Sequence, residues 1–61
     1  MKIAINQVFE IEGFGKVRFI GTEEQNGEVR CKIRPFAPMS PPYYPDIRDM
    51  EKLGYEMETN H

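Results

Sequence analysis

Glu28-Val29-Arg30-Cys31-Lys32-Ile33-Arg34 decides the fold class of this chain. Apolar and cationic residues alternate along it with period two. Val29, Cys31 and Ile33 fall on one side and Arg30, Lys32 and Arg34 on the other, the pattern of a β-strand with one buried face. Upstream, Val17 and Phe19 alternate with Lys16 and Arg18, and Phe9 and Ile11 alternate with Glu10 and Glu12. Three antiparallel strands are therefore predicted at residues 7–12, 16–22 and 28–34, each with one wet face, and no helix before Pro45. Ile3 and Ile5 offer a further short strand.

Turn chemistry links these strands in order. Gly13-Phe14-Gly15 lies between the first two, and a polar run ending in Asn26-Gly27 lies between the second and third. A two-residue Asn26-Gly27 loop would pair Ile20 with Ile33 and turn Val17 and Phe19 onto the basic face. A three-residue Gln25-Asn26-Gly27 loop with a bulge at Gly27 pairs Phe19 with Ile33 and gathers Val17, Phe19, Val29, Cys31 and Ile33. The second arrangement buries more apolar surface and is the one expected, although a bulge at Gly21 can restore either parity.

Sixty-one residues form one domain with a marginal core. One cysteine and one histidine, Cys31 and His61, supply neither an internal disulfide nor a Cys/His zinc site, and no cofactor motif is present. Support from self-association or a partner is the remaining expectation. Met1 to Asn6 is too short an apolar run for a signal peptide, and no stretch approaches a membrane span. A soluble, cytoplasmic protein with a reduced thiol is expected.

The charge is uneven. Residues 1–34 carry six cations and five acids, and residues 35–61 carry two cations and five acids, for a formal net charge of −2. Three parts follow: an antiparallel body at 1–34, a Pro-rich extended segment at 35–45 packed on it, and a short acidic helix with a frayed tail at 46–61. All five prolines lie in the middle part, which excludes helix and central strand there. It should cover an open sheet edge with Phe36, Met39, Tyr43 and Tyr44. Asp46 caps the helix, Ile47, Met50 and Leu53 share one side, and Gly54 ends it.

Gly13-Phe14-Gly15-Lys16-Val17-Arg18-Phe19-Ile20-Gly21, followed by Gly27-Glu28-Val29, resembles the glycine-punctuated hairpin of SH3-like small barrels such as the KOW and CAP-Gly families. The resemblance implies a small open barrel or meander. The aromatic groove motif of CAP-Gly domains is missing, so no binding residue carries over.

No nucleophile beside a base, no carboxylate pair and no phosphate-cradling loop stands out, so no enzymatic activity is expected. Cys31 reads as core. The function expected is that of a small non-catalytic protein-binding module, an inhibitor or adaptor of the kind that phages and mobile elements use to dock on larger proteins. Its candidate anchors are Phe14, Phe36, Met39, Tyr43 and Tyr44. Two alternatives stand beside it. Lys16, Arg18, Arg30, Lys32 and Arg34 could line a nucleic-acid-binding sheet face. Pro41-Pro42-Tyr43-Tyr44 matches the PPxY pattern of WW-domain ligands.

Overall fold

A computed structural model describes residues 1–59. The elements are β1 (Lys2–Ile3), β2 (Val8–Ile11), β3 (Gly15–Gln25), β4 (Glu28–Pro35), α1 (Ile47–Lys52) and β5 (Glu56–Met57). The three longer strands form an antiparallel sheet in the order β2-β3-β4, the meander expected from the alternation. β1 and β5 form a separate parallel pair. The described strands close no barrel.

The β3–β4 hairpin turns on two residues, not three. Gln25 pairs with Glu28, and Asn26 and Gly27 adopt φ of 53° and 79°, the left-handed pair that a tight hairpin matched to strand twist requires. The register then slips between Phe19 and Gly21. This bulge absorbs Ile20 and brings Phe19 opposite Ile33. The pairing expected from apolar burial is present, and the parity is corrected inside the strand, where a glycine with φ of 144° accepts the bend.

Val17, Phe19, Cys31 and Ile33 are fully buried on the inner face of this sheet. Ile3 from β1, Met57 from β5 and Met50 from α1 complete the core with Phe9 and Ile11. A second thin layer made from the two ends of the chain thus covers the meander.

Val29, expected in the core, lies outside it, and Leu53 does not pack with the rest of its helix side. Val29 is 40% exposed because it pairs with Glu24 beyond the bulge, on a two-stranded ribbon past the covering layer. Leu53 is 64% exposed because the helix stops there, leaving Met50 to point inward and Ile47 to pack at the margin.

Asp46 caps α1 by accepting from the Arg48 amide at 2.8 Å. At the other end Gly54 has φ of 94°, and the amides of Gly54 and Tyr55 donate to Glu51 and Met50 carbonyls at 3.0 Å each. That pair of bonds is a Schellman motif. It redirects the chain into β5, which ties residues 55–58 of the tail to the rest of the fold. The Glu56 amide donates to the Met1 carbonyl at 2.7 Å, Glu58 donates to Ile3 at 2.9 Å, and the Tyr55 hydroxyl donates to the Glu10 carbonyl at 3.0 Å. His61 lies outside the described residues.

Candidate binding surfaces

The Pro-rich segment covers the free edge of β4. The amide and carbonyl of Ile33 both bond to Tyr43, and the Cys31 amide donates to the Pro45 carbonyl at 2.9 Å. Bridges join Ile33 to Tyr43 and Arg30 to Asp46. Both bridges share one register, which places Tyr44 across from Lys32. Successive residues of an extended chain point to opposite faces. Tyr43 therefore goes with the side that carries Ile33, and Tyr44 with the wet side that carries Lys32. Composition alone grouped the two tyrosines, whereas the register separates them.

On the Tyr43 side, its ring stacks on Phe14 with centroids 4.9 Å apart and an interplanar angle of 28°. The pair borders a cleft of about 330 Å³ that includes Gly13, Pro35, Pro41 and Pro42. Phe14 and Tyr43 remain 46% and 42% exposed. Beside the cleft, Met39 is wholly exposed and takes φ of 63°, a left-handed backbone that a long side chain rarely adopts. The Gly13-Phe14-Gly15 turn presents Phe14 because both glycines take positive φ, 81° and 98°.

On the wet side, Lys16 lies across from Glu10 and Arg30 across from Glu23, and Arg30 also bonds Glu28 at 2.7 Å. Arg18 lies across from Arg34 on one side and Val8 on the other. Its guanidinium donates to the Asn6 carbonyl at 2.8 Å and stands 5.8 Å from the centre of the exposed Phe36 ring. Lys32 faces Gly21. The five cations are on one face, as the alternation indicated, but acids neutralise only the two flanks.

Burial pushes the Cys31 thiol up to about 11, with the carboxylates of Asp46 and Glu51 adding to the shift. The hydrogen bonds from Arg48 hold the Asp46 carboxyl below its ordinary value. Among the described residues no cluster of three or more His, Cys, Asp or Glu could hold a metal ion, and no helix is long and apolar enough to cross a membrane.

No family model matches the chain, and comparisons with curated proteins and with solved structures find no match.

Proposed function

We propose that this chain is a non-catalytic protein-binding module that docks through the Phe14–Tyr43 cleft. The observation that carries the reading is the stacked, half-exposed aromatic pair set against proline walls. Two rigid rings in a preformed cleft lose little entropy on binding and resemble the aromatic anchors that dominate interface energetics. The fully exposed Met39 beside it adds an adaptable apolar contact. An inhibitor or adaptor role on a larger protein, and a cytoplasmic setting in which the single thiol stays reduced, belong to the same proposal. The SH3-like relationship suggested by the glycine-punctuated hairpin is also part of it, with the open meander as the shared piece.

The WW-ligand reading finds less support. A proline-rich ligand must lie free in its receptor's groove, whereas the Tyr43 amide and carbonyl are both bonded to Ile33.

Affinity capture with nuclease-treated lysate tests the docking proposal. Phe14→Ala with Tyr43→Ala should weaken capture of the partner by at least about 2 kcal/mol with a small fall in melting temperature. Lys32→Glu with Arg34→Glu should matter less. The opposite ranking would remove the cleft from the interface.

A further inference from the structure

The wet face of the sheet has an unbalanced centre. Its acids gather at the two ends, with Glu10 beside Lys16, and Glu23, Glu28 and Asp46 around Arg30. Between them lie Arg18, Arg34 and Lys32. Neither Arg34 nor Lys32 has an ion-pair partner among the described residues. Arg18 and Arg34 are direct cross-strand neighbours, an arrangement of like charges that destabilises a sheet unless an anion joins them. Two aromatic rings adjoin this band. Phe36 stands by Arg18, and Tyr44 comes across from Lys32 in the register fixed by the two edge bridges.

We infer that this band binds single-stranded nucleic acid, with Arg18, Lys32 and Arg34 on consecutive phosphates and Phe36 and Tyr44 as stacking platforms for the bases. The inference goes beyond the docking cleft, which lies on the other side of the edge segment and shares none of these five side chains. A net charge of −2 does not oppose it. The field within about 8 Å at physiological salt decides the encounter, and the acids of this face pair with Lys16 and Arg30 at its two ends rather than with the central cations. An acidic peptide would satisfy the cations but leave both rings without a partner. Every nucleobase has a π face, so a single strand uses cations and rings together.

The test is fluorescence anisotropy of the full chain with a labelled oligothymidylate of about a dozen nucleotides, the scale of site that small β domains cover. Binding should be saturable, and log K should fall against log salt with a slope of about −2, as three phosphate contacts to a single strand imply. Arg18→Gln, Lys32→Gln and Arg34→Gln together should lower affinity at least about tenfold and flatten that slope. Arg18→Lys with Arg34→Lys should keep the slope, which separates charge from any loss of fold. Phe36→Ala with Tyr44→Ala should lower affinity by about tenfold while leaving the slope in place. Lys2→Gln with Lys52→Gln, which removes charge elsewhere, should have little effect, and so should Phe14→Ala with Tyr43→Ala.

Absence of saturable binding at low salt would overturn the inference. So would equal losses in the triple variant and the Lys2/Lys52 control. Displacement by polyglutamate as effective as by unlabelled oligothymidylate would assign the band to acidic peptides instead.

Discussion

At Cys31 a titratable side chain lies inside the core. Its sulfur is enclosed by the core, and two carboxylates nearby raise the thiol further, to about 11. An unfolded thiol ionises near 8.5. The folded value is the higher one, so the stability linked to this group is complete below about 8.5 and is lost as pH rises toward about 11. Thermal melts across that window should show wild type losing more melting temperature than Cys31→Ser, whose hydroxyl does not titrate there. At neutral pH the serine variant should be the less stable one while keeping any binding activity. Native protein should also alkylate far more slowly than denatured protein. A Cys31 that reacts in the native state as fast as a free thiol would contradict the burial argument. The residue scale also shows what periodicity conveys well. Alternation, joined to the register that buries the most apolar surface, puts Val17, Phe19, Cys31 and Ile33 on one face, and all four are fully buried. Val29 obeyed the same alternation and is not, because burial needs a covering layer as well as the right parity.

At the scale of elements, β2, β3, β4 and the capped helix were legible because each carries a local signal of alternation, turn residues or a cap. The β1–β5 pair was not, beyond the short strand that Ile3 and Ile5 offer, of which Ile3 falls in β1 and Ile5 in the turn after it. Each strand has two residues, too few to show a period, and the partners are at opposite ends of the chain. Sequence reading could reach it only through Gly54, which marks the Schellman turn that aims the tail back at Met1. The candidate surfaces divide in the same way. Which residues would be exposed and which cations share a face followed from composition and period. That Tyr43 and Tyr44 part company followed only from the register of an edge segment with no regular alternation of its own. The importance of the tail can be measured. Met57→Ala removes a buried side chain and should cost about 2–4 kcal/mol, whereas Leu53→Ala, which the helical spacing alone would have ranked as equal, should stay within about 0.5 kcal/mol. Urea titrations of the two variants check the ranking, and equal costs would place Leu53 in the core after all.

For the whole molecule, the notable fact is that its two ends make the second layer. β1 and β5 run parallel, so a load applied at Met1 and at the far side of β5 pulls the strands past each other lengthwise. The bonds from Glu56 to Met1, from Glu58 to Ile3, and from the Ile5 amide to the Glu58 carboxylate must then stretch together before any one is released. A load applied across the Asn26-Gly27 tip instead peels the β3–β4 pairs apart one at a time. Single-molecule pulling should therefore find a higher rupture force from the ends than from residues 24 and 29, with one rupture event in the first geometry. The strand pair that was hardest to see in the sequence would act as a mechanical clamp, letting the domain bear tension when held by both ends and yield when pried open at its hairpin.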